Sequence, residues 1–246
     1  MSISRGQELV RTRLPWVLGQ AGLVISGIVV YFGVRGLTEG SADAAVSRGR
    51  DILALERSLG IDLEGALQAP VRASETLETA ANWTYIWGHW PVIVITMLWL
   101  AWRHRGIFLR LRDAMMVSGA VGMLIFVSFP VAPPRLAGLG MLDTVTESSE
   151  AYRVLQPPAF VNQYAALPSL HAGWDLLVGI SILSAASSLA LRVVGFAMPM
   201  LMGLAVLMTA NHYLIDVVAG VTLVLIGHLA ALHLEHRRHR RAVGAR

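Results

Sequence analysis

The residues of this chain best suited to chemistry are His212 and Asp216, four apart in the run Thr209-Ala210-Asn211-His212-Tyr213-Leu214-Ile215-Asp216. On a helix that spacing puts them on one face, so the carboxylate can accept a hydrogen bond from one imidazole nitrogen and leave the other unprotonated. A nitrogen freed in this way is a nucleophile, and phosphorus is a fitting electrophile for it. His171 follows Pro168 and Ser169, residues that open helices, and the free amides of a helix start favour an anion. From there it is suited to give a proton to a leaving oxygen. Arg135, fixed by Pro133 and Pro134, offers a planar fork matched to phosphate oxygens.

These groups belong to three segments separated by 36 residues (135 to 171) and 41 residues (171 to 212). Each lies at the end of an apolar run, and as the runs are read below, all three fall on one side of the membrane at similar depth. Ionisable groups at membrane depth are costly and by default mark functional sites.

Other polar residues have simpler readings. His89, after Trp83, Tyr85 and Trp87, fits an aromatic belt or, with Tyr85 and Tyr164, a substrate entrance. Asp175, one turn after His171, either orients it or caps a cavity hydrogen bond. Glu56 and Arg57 read as a solvated face. Ser169 lacks the glycines of a nucleophile elbow, so its role is at the helix start. His104, His228, His233, His236 and His239 read as interfacial or packing residues, and Met198, Met200 and Met202 as packing rather than a metal site.

Composition narrows the classes further. With 55% hydrophobic and 15% charged residues, the 246-residue chain has too little polar surface for a soluble domain, so the bilayer is part of its solvent. Net charge is +4, and all 20 cationic residues are Arg. The lack of Lys removes Schiff-base and P-loop chemistry, and the lack of Cys removes disulfides, thiolate nucleophiles and Cys-ligated zinc. The arginines are scattered between apolar runs, which argues against a nucleic-acid partner.

The elements that must position the site are six apolar stretches near the length needed to span a bilayer, about 20 residues. They are 16–34, 82–102, 114–131, 172–191, 193–211 and 213–234, within a single domain covering 1–246. The first reads as an anchor, since no cleavage signature ends it. Arg5, Arg11, Arg13, Arg103, Arg105, Arg110, Arg112, Arg192 and the tail 235–246 lie on one side, which the positive-inside rule makes cytoplasmic. The other side holds Glu39, Asp43, Asp51, Glu56, Asp62, Glu64, Asp143, Glu147 and Glu150. Both termini are then cytoplasmic and the site is extracytoplasmic. The connection 35–81 has Ile52, Leu53, Leu55, Leu59 and Ile61 among charges, a pattern fitting an amphipathic helix at the interface or a helical hairpin packed on the bundle. The basic tail reads as a contact for anionic lipid.

Three stretches, Pro130–Arg135 (PVAPPR), Asn162–His171 (NQYAALPSLH) and Thr209–Gly220 (TANHYLIDVVAG), resemble the phosphatidic acid phosphatase type 2 superfamily. Within it they are most similar to the branch that includes inositol phosphorylceramide synthase. Leu55–Ile61 (LERSLGI) and Asn82–His89 (NWTYIWGH) echo it more weakly. The resemblance implies an all-α membrane protein, a six-helix bundle, in which His212 attacks phosphate to form a phosphohistidine, Asp216 assists it and His171 is the general acid. It also implies a lipid phosphate or phospholipid substrate. Two cations usual in the superfamily are missing: no Lys precedes Arg135, and Val206 stands six residues before His212 where Arg is usual. Phosphate binding then rests on Arg135, Asn211, Gln163, Ser169 and helix-start amides, and neither metal nor cofactor is required.

The acceptor decides the product: water gives a phosphatase, and an alcohol gives a phosphotransferase. A transporter or scramblase is a competing class, but it expects ionisable groups near the midplane and repeated halves, and neither pattern is in the sequence. A structural scaffold gives no reason for the histidines to coincide in depth.

Overall fold

Proline, glycine and serine punctuate the apolar runs and set where helices begin and end. In a computed structural model the described residues are 14–27, 29–30, 33, 42–148 and 162–244. Arg5, Arg11, Arg13, Glu39, Glu150 and Arg246, which entered the orientation argument, lie outside them. The helices are α1 (Leu14–Gly27), α2 (Ala42–Leu59), α3 (Glu64–Arg72), α4 (Glu75–Trp87), α5 (Trp90–Arg103), α6 (Arg105–Ser128), α7 (Thr144–Ser148), α8 (Leu170–Ala185), α9 (Leu189–Met208) and α10 (Leu214–Gly244). Among the described residues there is no strand, only an isolated parallel bridge between Val131 and Ala165.

Among the described residues three helices are long and apolar enough to cross a membrane: α6, α9 and the Leu214–Arg241 part of α10. Helices α4 and α5 make a fourth if taken as one span bent by 42°. Among the described residues the expected spans 16–34 and 172–191 hold only the shorter apolar helices α1 and α8, so length and composition give three or four spans where six were expected. Their outward surface is apolar, with Ile95, Leu124, Leu189, Phe196 and Leu229 well exposed, as lipid contact requires.

Several expected boundaries change for local reasons. The span expected over 82–102 is broken at Gly88-His89, because Pro91 in the first turn of α5 has no amide to continue the ladder from α4. The loop expected between the second and third spans is instead the first two turns of α6. Two of its arginines are held by carboxylates, Arg110 by Glu235 at 2.8 Å and Arg112 by Asp113, which also pairs with Arg238 of α10. The tail expected after residue 234 continues as helix to Gly244.

Helices α6, α8 and α10 pack together around a core that includes Leu111, Leu177, Val178 and Val224, and α9 packs along α8. Helix α2 lies against the end of this bundle where α8 and α10 start. Its buried face is Ala45, Gly49, Leu53 and Glu56, a helical spacing of four, four and three. Glu56 is 0% exposed, which corrects its reading as a solvated residue; Arg57 is exposed and pairs with Asp62 at 3.5 Å. The described part of the connection between the first two spans, 42–81, is therefore largely helical and packed on the bundle.

Candidate active site

Three chain segments meet at this end of the bundle, and hydrogen bonds of the backbone lock them together. The Val131 amide donates to Tyr164 O at 2.7 Å, and the Ala166 amide donates back to Val131 O at 3.2 Å. The Arg135 amide donates to Ala210 O at 3.1 Å, and the Ser169 amide to Asp216 O at 2.9 Å. Segments that the sequence places 36 and 41 residues apart are thus fixed by local main-chain contacts.

His212 sits just before α10, 5% exposed. Its Nδ1 is 2.8 Å from the carbonyl oxygen of Ala166 and 3.5 Å from Asp216 Oδ2. A carbonyl only accepts, so Nδ1 carries the proton and Nε2 keeps its lone pair. The tautomer is the one expected from the sequence, but the closer orienting group is a main-chain oxygen. Asp216 Oδ2 accepts from the Tyr213 amide at 2.9 Å, so the carboxylate caps α10 and places negative charge beside the imidazole. Ala210, two residues before His212, has a left-handed φ of 52° and is fully buried, a strained backbone of the kind that collects at functional sites.

His171 lies in the first turn of α8, which Ser169 caps by accepting from the Ala172 amide at 3.4 Å. Its ring centroid is 6.0 Å from that of His212. Tyr85 stacks on His171 at 4.6 Å, and His89 lies against it at 4.3 Å. His89 is 2% exposed, so it is neither a belt residue nor an open entrance. The break at Gly88 turns it into the bundle, where its Nδ1 meets Asp175 Oδ1 at 2.7 Å. Asp175, expected to orient His171 or cap a cavity, therefore pairs with His89.

Arg135 follows Pro134 in a short 3₁₀ turn. Its Nε donates to Asn211 Oδ1 at 2.9 Å and its Nη1 to Asp143. Arg135 and Asn211, both expected to bind phosphate, are thus joined to each other, and Asn211 immediately precedes His212 in the chain. Ser169 is occupied as a helix cap, Gln163 is exposed in the preceding turn, and Tyr164 contributes main-chain contacts.

The sequence reading missed a ring of carboxylates around the start of α10. Glu56 Oε1 accepts from the Ile215 amide at 2.7 Å and Glu64 Oε1 from the Leu214 amide at 2.8 Å. With Asp216 on the Tyr213 amide, three successive first-turn donors are satisfied by side chains. The signal for Glu56 was present, since it falls on the apolar face of α2; Glu64, the first residue of α3, had no comparable cue. Burial is the main reason the Glu56 carboxyl titrates high, at about 8; the Ile215 amide opposes the shift, and the negative charges of Glu64 and Asp216 add to it.

An apolar cleft of about 420 Å³ lies between α1, α5, α6 and α8, lined by residues including Leu23, Met97, Met116, Ala120, Trp90 and Trp174. Trp90 and Trp174 in turn pack on His89 at 5.3 and 6.2 Å. The arrangement as a whole can supply a nitrogen nucleophile, a nearby imidazole for proton transfer and a guanidinium for anionic oxygens, next to apolar space.

A family model described as the PAP2 superfamily matches residues 50–230 of the chain. No curated protein and no solved structure matches it.

Proposed function

The chain belongs to the PAP2 superfamily, and from that premise we propose that it is a membrane-embedded phosphoryl-transfer enzyme acting on a lipid-linked phosphate through a phosphohistidine on His212. The observation that carries this reading is the Nδ1 contact of His212 with the Ala166 carbonyl, 2.8 Å, which leaves Nε2 free to attack. His212 Nε2 forms the P–N bond as the P–O bond to the lipid alcohol breaks. The imidazolium of His171 gives its proton to the departing oxygen. In the second half His171 takes a proton from the acceptor as its oxygen attacks phosphorus and the P–N bond breaks. Arg135 and Asn211 hold the non-bridging oxygens, and Asp216 offsets positive charge on His212.

The acceptor in this reading is an alcohol, as in the inositol phosphorylceramide synthase-like branch that the three motifs resemble; a simple phosphatase using water is the alternative. The apolar cleft beside Trp90 and Trp174 supports a substrate with a hydrocarbon chain. We place the protein as multi-pass in the cell membrane with both termini cytoplasmic and the site extracytoplasmic, supported by the arginines at the far ends of α5, α6 and α10.

The test is purified protein in detergent with EDTA, given lipid phosphates and phospholipids with and without free alcohols, beside His212→Ala. Phosphate release identifies hydrolysis, and a new phosphodiester lipid identifies transfer. Loss of the nucleophile is expected to lower kcat by about 10⁴-fold or more and to abolish acid-labile phosphoenzyme. Equal turnover by the variant would overturn the assignment.

A further inference from the structure

The pair His89–Asp175 is buried at the centre of the site end and has no part in the reaction as described. Resting on the proposed reading of His171 as the proton donor, we propose that His89 and Asp175 form a second histidine–carboxylate pair that positions His171 and keeps it in its acid form.

His89 and Asp175 are each 2% exposed and joined at 2.7 Å. A hydrogen bond this short between buried groups fixes the His89 ring, and that ring lies 4.3 Å from His171. Asp175 Oδ2 is buried with no hydrogen-bond partner among the described residues. A carboxylate this poorly solvated stays ionised only with a positive charge close by, and the His89 ring at 2.7 Å is placed to carry it. The two imidazoles in contact can carry one such charge between them at modest cost, whereas a second would be opposed by the first. One aspartate therefore retains one excess proton on the His89–His171 pair, the number that the leaving oxygen requires.

The surrounding groups fit this assignment. The titratable side chains placed around His171 are Tyr85 and His89 from the α4–α5 elbow, Asp175 on its own helix, and His212 with Asp216 at the start of α10. Asp216 meets His212 and the Tyr213 amide through Oδ2, whereas Asp175 is the carboxylate joined directly to the His89–His171 pair, at His89 Nδ1. Trp174 packs parallel to His89 at 6.2 Å and is itself held by Ser118 Oγ at 3.2 Å. The ring that supports His171 is thus backed by fixed neighbours.

His89 and Asp175 are positioning residues in this account, since they act through His171 and need not touch substrate. Their role separates from a structural one by the leaving group. A long-chain alkyl phosphate releases an alkoxide that needs a proton, whereas 4-nitrophenyl phosphate releases a phenolate that does not. The quantity to compare is kcat/KM, which reports the steps up to release of the alcohol.

For Asp175→Asn we expect kcat/KM to fall about 30-fold or more on the alkyl phosphate and less than about 3-fold on the aryl phosphate. His89→Gln is expected to give the same pattern, the double variant to be little worse than either single one, and Asp175→Glu to recover part of the loss. An equal fall on both substrates, or no fall on either, overturns the proposal. The aryl phosphate also serves as the control for folding. Wild-type kcat/KM in His212→Ala would instead overturn the phosphohistidine reading, an outcome separate from the substrate ratio in Asp175→Asn.

Discussion

Gly220 stands where α10 passes the start of α8. A Cβ there would come 2.1 Å from Ser169 O and 2.8 Å from the Ser169 carbonyl carbon. Both are main-chain atoms, so no rotamer change relieves the clash. The same contact brings the Ser169 amide to Asp216 O at 2.9 Å, and it therefore sets the distance between the turns that carry His171 and His212. Gly220→Ala is expected to destabilise the protein by about 1–3 kcal/mol or more. It is also expected to reduce turnover at least tenfold in the folded fraction, because displacements near 1 Å at a reacting centre cost about 10²-fold. Gly203 in α9 is the control: a Cβ there meets nothing within 4 Å, so Ala is expected to be neutral or stabilising by up to about 1 kcal/mol. Thermal unfolding in detergent and turnover per folded molecule check both. An unchanged melting temperature and activity in Gly220→Ala would show that the two turns are not held by this contact. At this scale the sequence pointed to His212, Asp216, His171, Arg135 and Asn211 as candidates, and the structure brings them to one end of the bundle; each has a chemical type and a spacing that are local. It could not identify Ala166, since a main-chain carbonyl has no signature in a residue name.

Helices α2 and α3 hold α10 by its first amides, through Glu56 and Glu64. This contact orients the element that follows His212, and it makes stability depend on pH. Glu56 titrates at about 8 in the fold against 4.5 for the free side chain, chiefly because it is buried. Between these values the folded state binds more protons than the unfolded one, so stability falls as pH rises through that window and levels off above it. The melting temperature is expected to decline from about pH 4.5 to pH 8 on this account, and Glu56→Gln is expected to flatten the slope. The amide oxygen of Gln still accepts from Ile215 but does not ionise. A slope unchanged in the Gln variant would assign the pH dependence to another group. Glu56 was legible in retrospect, by its place on the face with Ala45, Gly49 and Leu53. Its partners on α10 were not, because contacts 150 and 159 residues apart (Glu64 to Leu214, Glu56 to Ile215) leave no periodic trace. The elbow at Gly88 was readable only in part: Pro91 signals a break, but not that the break turns His89 inward onto Asp175.

Across the whole molecule, ion pairs stand at both ends of the bundle. Helix α10 runs 31 residues from Leu214 to Gly244, about 45 Å at 1.5 Å per residue, so its two ends can stand on opposite sides of a bilayer. The end beside the histidines has the Arg135–Asp143 pair with the buried carboxyls of Glu56 and Glu64 nearby, and the far end has Arg110, Arg112 and Arg238 with their carboxylate partners. Hydropathy made the long apolar helices readable from sequence, because it is summed over many residues and tolerates errors of several positions in each boundary. The lengths of the individual spans did not share that tolerance, as the short α8 and the bent α4–α5 pair illustrate. The orientation has a direct test, since the chain has no cysteine to compete for label. Ser58 is exposed on α2 at the site end, and Arg240 is exposed near the far end of α10. With the site extracytoplasmic, Ser58→Cys is expected to react with a membrane-impermeant maleimide on intact cells. Arg240→Cys is expected to react only after permeabilisation. The reverse pattern would place His212 on the cytoplasmic side, and the lipid phosphate it acts on would then have to be presented from the inner leaflet.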